Sequence, residues 1–194
     1  MYTTYKGTML VDKILVGKNL ENFSFRSETI YNAEGVRMFG NVNSGEFFRK
    51  TEKEIHKKWG DEVNALLIRI YMDKSYVDRS GAIKIWPCYM GIGNFTTEVN
   101  ASINALYFVG FCPMMDLTDA QLNVDFKKAG ITAIENLKEA NKMLRKYIEN
   151  EYIRAVIQPI IHTSINGPVL LAVGAGENLV IKKFMPVFER YICK

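Results

Sequence analysis

Apolar positions along this chain recur with two different periods, and the switches between them mark the elements. Residues 1–43 hold no sustained period and read as an extended arm with turn residues at Asn32 and Gly35. Ser44 then has the form of a helix N-cap, with Glu46 in the first turn. Phe48, Thr51, Ile55 and Trp59 come next at helical spacing until Gly60 supplies a stop. Glu52, Lys53, Lys57 and Lys58 fall on the expected solvated side, leaving Phe48 and Trp59 as core anchors. From Val63 to Met72 the pattern becomes an unbroken, branched apolar run that ends abruptly at Asp73. That is the signature of a central strand covered on both faces. After the turn cluster Asp78-Arg79-Ser80-Gly81, residues 82–93 alternate as a second strand. Pro87 lacks a donor, which implies an unpaired or bulged position there. A third strand over residues 101–112 ends at Pro113, and three strands on short links predict a meander.

The second half begins with Thr118-Asp119-Ala120-Gln121, which has capping-box form, and Gly130 divides the stretch up to Pro159 into two expected helices. Ile134, Leu137, Leu144 and Ile148 make an apolar stripe that Met143 and Tyr147 widen. Glu135, Lys138, Glu139, Lys142 and Lys146 belong to the solvated face, and Pro159 is expected to close the helix. Gly167-Pro168 opens a hairpin with arms over Val169–Val173 and residues 179–184, joined by residues 174–178. A last strand is expected over residues 187–193, after Met185-Pro186. Helices, a hairpin and a further strand coming after three strands predict an α/β layered domain.

Composition narrows the chemistry. The 194 residues are 48% apolar and 24% charged, which excludes a disordered chain. No apolar run is long enough to span a bilayer, and residues 1–20 lack the apolar core of a secretory signal, so no membrane role is expected. A net charge of +4 permits a polyanionic partner without demanding one. Three well-separated cysteines point to reduced thiols and an intracellular home, and the three Asn-x-Ser/Thr sequons at Asn22, Asn94 and Asn100 read as chance matches. Cys88, Cys112 and Cys193 with His56 and His162 have no zinc-ligand spacing. Gly91-Ile92-Gly93-Asn94 and Gly174-Ala175-Gly176 lack the remaining residues of a phosphate loop and read as turns. Asp73 stands apart, because a carboxylate at the end of an apolar strand must be solvated, paired or cation-bound. Two readings remain open there: an oxygen ligand for a metal, or a cap on the turn through Lys74-Ser75.

A longer pattern bears on that choice. It runs through Val36-Arg37-Met38-Phe39-Gly40, Ser44-Gly45-Glu46-Phe47-Phe48 and Ile70-Tyr71-Met72-Asp73-Lys74-Ser75. It continues through Ser80-Gly81-Ala82, Ile85-Trp86-Pro87-Cys88-Tyr89, Gly93-Asn94 and Val109-Gly110-Phe111-Cys112-Pro113. From residue 35 to 194 the chain resembles the transposases of Plavaka-type DNA transposons, leaving residues 1–34 as an N-terminal arm. The resemblance implies a partial RNase H-like core: a three-stranded meander, then helices, a hairpin and a further strand. It implies DNA as partner, the nucleus as location, and strand cleavage and transfer by acidic side chains holding two Mg²⁺ ions. Asp73 falls where the first catalytic, metal-binding Asp of that family is expected.

The chain departs from the family at the second acid. Counting on from Pro186, its expected position carries Lys194, and Glu189 lies on the opposite face of a regular strand. The third acid is expected further downstream. One carboxylate cannot hold two divalent ions and a lysine would repel them, so these residues are not expected to cut DNA. The expectation is therefore a catalytically incomplete piece of a transposase, with an exposed sheet face and poor solubility alone. The rival is a non-catalytic module, derived from a transposase, that binds nucleic acid or protein. An unrelated small-molecule α/β domain is a third reading, without an intact cofactor motif to support it.

Overall fold

The computed structural model describes residues 15, 20–77, 84–102, 105–114, 137–188 and 192–193. In chain order the strands and helices are β1 (Ile30–Tyr31), β2 (Arg37–Met38), α1 (Glu46–Trp59), β3 (Val63–Met72), β4 (Ser75–Tyr76), β5 (Lys84–Ile85), β6 (Pro87–Ile92), α2 (Thr97–Asn100), β7 (Leu106–Phe111), α3 (Leu137–Ile165), β8 (Val169–Val173), β9 (Val180–Phe188) and β10 (Ile192–Cys193). The expected capping box at Thr118 and the division at Gly130 lie outside the described residues.

β3 is the centre of the main sheet, whose order is β7-β6-β3-β9-β8. Its alternation sorts side chains between two layers. Val63, Ala65 and Leu67 pack with Phe48 and Ile55 of α1, while Ile70 and Met72 pack with Ile148, Tyr152 and Ile153 of α3. Leu66 and Ile68 join Phe23, Phe95, Ile160 and Phe184 in the largest cluster. Burial on both faces is what the continuous apolar run required. β6 and β7 complete the antiparallel meander, and their register shifts between Cys88 and Tyr89, one step from Pro87. After α3 the chain returns so that β9 lies parallel to β3, from Val63 opposite Lys183 to Ile68 opposite Phe188. A parallel neighbour needs a long crossover, and α3 is part of it. The architecture is mixed α/β and compatible with a partial RNase H-like core.

Several local expectations are corrected. Ser44 is not the N-cap of α1. Its hydroxyl accepts from the Gly40 N–H at 2.8 Å and donates to the Asn41 carbonyl at 2.7 Å, leaving Gly45 at the cap without a side-chain bond. Glu52 is buried, not solvated, and Thr51 yields its place in the inward stripe to it. α3 runs through Pro159 to Ile165. An interior proline costs about 3 kcal/mol, and burial of Ile160 with partial burial of Val156 and Ile157 offsets it. Met143 and Tyr147 do not widen the stripe; both are exposed. Nor does Pro186 separate two strands, because β9 continues from Val180 to Phe188. Pairing with β8 has ended at Phe184, so Pro186 lies where β9 has one ladder neighbour, a placement that tolerates a missing donor.

Residues 22–28 are tied to this scaffold. The Ser24 N–H donates to the Asn94 carbonyl at 2.8 Å, and the Thr96 N–H to the Asn22 carbonyl at 2.9 Å. The Ser27 hydroxyl and N–H both donate to the Glu52 carboxylate, the N–H at 3.2 Å, and Arg26 stands 3.8 Å from it. Removing this buried, charged acceptor takes the partner from a part-buried hydroxyl and N–H. Glu52→Ala is therefore expected to cost about 2 kcal/mol in urea unfolding; a change under about 0.5 kcal/mol would show that the tie is dispensable.

Candidate functional site

β3 delivers Asp73 to the open end of the sheet. At the last strand residue, Met72, the neighbours are Cys88 on β6 and Cys193 on β10. Asp73 comes directly after it and is exposed. Among the described residues it makes no hydrogen bond or ion pair, including to the Lys74-Ser75 turn. The chain instead continues straight into β4, which pairs with β5 through Ser75 opposite Ile85. Two cations flank this end. The Lys74 ammonium sits 4.3 Å from the centre of the Trp86 ring, and the Lys84 ammonium 5.4 Å from that of Tyr76. Each is held over an aromatic face, which orders the side chain without neutralising its charge.

Among the described residues no group of metal-binding side chains assembles around Asp73, which stands beside a lysine rather than a second carboxylate. Glu189 and Lys194 lie outside the described residues. Divalent ions of this kind require several oxygen ligands, of which Asp73 is one candidate.

Behind Asp73 the sheet end closes on α3. Cys88 and Cys112 are buried thiols outside any disulfide, and Cys88 is hydrogen-bonded to the Tyr152 hydroxyl. Burial pushes the Cys88 thiol up to about 12 and raises the Tyr152 hydroxyl as well. Both groups are locked in their neutral forms, so neither is a nucleophile at neutral pH.

A concavity lies at the start of α1. A pocket of about 500 Å³ is lined by residues 39–42 and 44–48, including Phe39, Phe47 and Phe48. Phe39 is 67% exposed and Phe47 50%, and the Arg37 guanidinium lies 4.9 Å from the centre of the Phe39 ring. Arg37 and Arg49 both reach the Glu46 carboxylate, at 3.4 Å and 2.5 Å. The Arg49 hydrogen bond, helped by Arg37, holds that carboxyl below the usual range. Sequence reasoning missed this pocket, since Phe47 simply precedes the apolar stripe and Phe39 sits in an aperiodic segment.

No helix among the described residues is long and apolar enough to cross a membrane. A family model described as Plavaka transposase matches residues 10–160, a span that takes in Asp73, both flanking lysines and the pocket. The match begins upstream of residue 35 and stops before the β8–β9 hairpin. No curated protein and no solved structure matches the chain.

Proposed function

The chain belongs to the Plavaka transposase family, and from that premise we propose that it is a DNA-binding piece of a transposase. Its ancestral chemistry is Mg²⁺-dependent DNA strand cleavage and transfer, its place of action the nucleus, and Asp73 the one carboxylate it contributes to that chemistry. The family match carries the reading. Support comes from the sheet end, where exposed Asp73 is followed by Lys74 over the Trp86 ring and by the β4–β5 pair that carries Lys84 over Tyr76. Those cations suit a phosphate backbone, whose contacts set affinity and orientation. Residues 1–194 do not cleave DNA by themselves in this reading, because the place assigned to a second acid carries Lys194.

Anisotropy of labelled duplex DNA across a salt series tests the binding. Affinity is expected to fall steeply with salt, and Lys74→Ala with Lys84→Ala should lower the slope of log K against log salt by about two. No binding at low salt would remove the DNA reading. Incubation with supercoiled plasmid and Mg²⁺ or Mn²⁺ tests the chemistry, and no nicking is expected. Nicking that Asp73→Asn abolishes would show that these residues do assemble a working centre.

A further inference from the structure

We propose that the pocket at the start of α1 holds an unpaired DNA base, stacked on Phe39, while flanking phosphates track the basic stripe of α1. The proposal rests on the DNA-binding reading and adds a strand form and a site to it. Phe39 has a guanidinium against it and is still 67% exposed, so most of the ring remains open. Stacking on an aromatic ring needs only a planar partner, and every base offers one. Phe47 is half exposed at the same pocket, and the volume of about 500 Å³ suits a nucleoside-sized group. Exposed aromatic side chains cost solvation, and two beside one concavity mark a binding surface more than a packing defect.

Charge selects the occupant. Glu46 is the one acidic residue lining the pocket, and it is shared by two arginines, which leaves the mouth net positive. Arg49, Lys50, Lys53 and Lys57 continue from it at helical spacing on the side of α1 opposite Phe48, Ile55 and the β3 core, with Glu54 flanking. Lys50, Lys53 and Lys57 are exposed. An aromatic cup leading onto a line of cations matches a base joined to phosphates. A second copy of this chain would bring the same cations to the contact, and a neutral apolar peptide would leave them unused.

The test uses the 194-residue chain and a labelled oligothymidylate, with a duplex of equal length beside it. Phe39→Ala is expected to weaken single-strand binding about tenfold or more, since each stacked base contributes about 1–3 kcal/mol. Phe39→Trp should retain it, and duplex binding should change less than about twofold with either substitution. Both substitutions replace an exposed ring, and a thermal melt checks that the fold is intact. If the wild-type chain binds the oligonucleotide and Phe39→Ala leaves that affinity unchanged, the base pocket is wrong while the DNA reading stands. If neither DNA form binds at low salt, both fall. Self-association that Phe39→Ala abolishes would assign the pocket to a second copy and overturn the proposal.

Discussion

Replacing Asn94 with alanine is expected to destabilise the fold by about 3–5 kcal/mol, a loss built from two buried hydrogen bonds and a third that is part-buried. The Asn94 side chain is fully buried. Its Oδ1 accepts from the Leu67 N–H at 2.8 Å, and its Nδ2 donates to the Ala65 and Ser24 carbonyls, each at 2.9 Å. β6 pairs with β3 only as far as Ile92 opposite Ile68, and Gly93 adds one bond to the Leu67 carbonyl. Beyond that point the Asn94 amide takes over as a short substitute strand for β3, and ties residue 24 to the same place. Alanine leaves the Leu67 N–H and the Ala65 carbonyl without these partners inside the core, and releases the part-buried Ser24 carbonyl as well. Asn94→Asp should be at least as damaging, because it keeps the acceptor, removes both donors and buries a charge. Urea unfolding with an unchanged slope checks this; a loss below about 1 kcal/mol would mean that the segment around Ser24 relaxes to satisfy the groups. The same burial excludes a glycan on Asn94 of the folded chain, so that sequon is structural.

Legibility tracked range. β3 could be read residue by residue because a strand buried on both faces announces itself without reference to anything distant. The Asn32 and Gly35 turn and the Gly60 stop were readable for a local reason too. Gly35 and Gly60 adopt φ of 77° and 94°, where a side chain is strained, and Asn32 Oδ1 accepts from the N–H groups of Glu34 and Val36. Expectations failed where a partner far along the chain decided the outcome. Glu52 looks solvated until Ser27 is placed against it, and Ser44 looks like a cap until Gly40 and Asn41 claim its hydroxyl. Pro159 and Pro186 are local stop signals overruled by packing and by the end of β8 pairing. Asn94 read as a turn residue because nothing in its neighbourhood mentions Ser24 or Ala65. At the candidate site, Asp73 was legible as a carboxylate at a strand end. Its surroundings were not, since they depend on β10 returning beside Tyr71 and Met72.

The second large effect is alkaline unfolding, and its source is the neutral pair Cys88 and Tyr152. Cys88 is pushed from 9.0 to about 12 in the folded chain, and Tyr152 is raised in the same direction, chiefly because burial penalises the charged forms. The folded state therefore holds these protons more tightly than the unfolded state does. Stability is fully present below about pH 9, where both states are protonated, and is lost as pH rises towards 12 and the unfolded thiol ionises alone. The loss approaches about 1.4 kcal/mol per pH unit for Cys88, or about 4 kcal/mol by pH 12, with Tyr152 adding in the same sense. Denaturant midpoints measured from pH 7 upward should be flat and then fall, and Cys88→Ala should flatten part of that fall, which separates the thiol from titrating surface lysines. The same displacement sets reactivity. At pH 8 the native thiolate fraction of Cys88 is about one in 10⁴, so iodoacetamide should leave its peptide unlabelled until denaturant opens the fold. Labelling of the folded chain at the rate of a free cysteine would show that the sheet end behind Asp73 opens on its own. In that event the Cys88–Tyr152 contact could not be what closes α3 onto the strand ends.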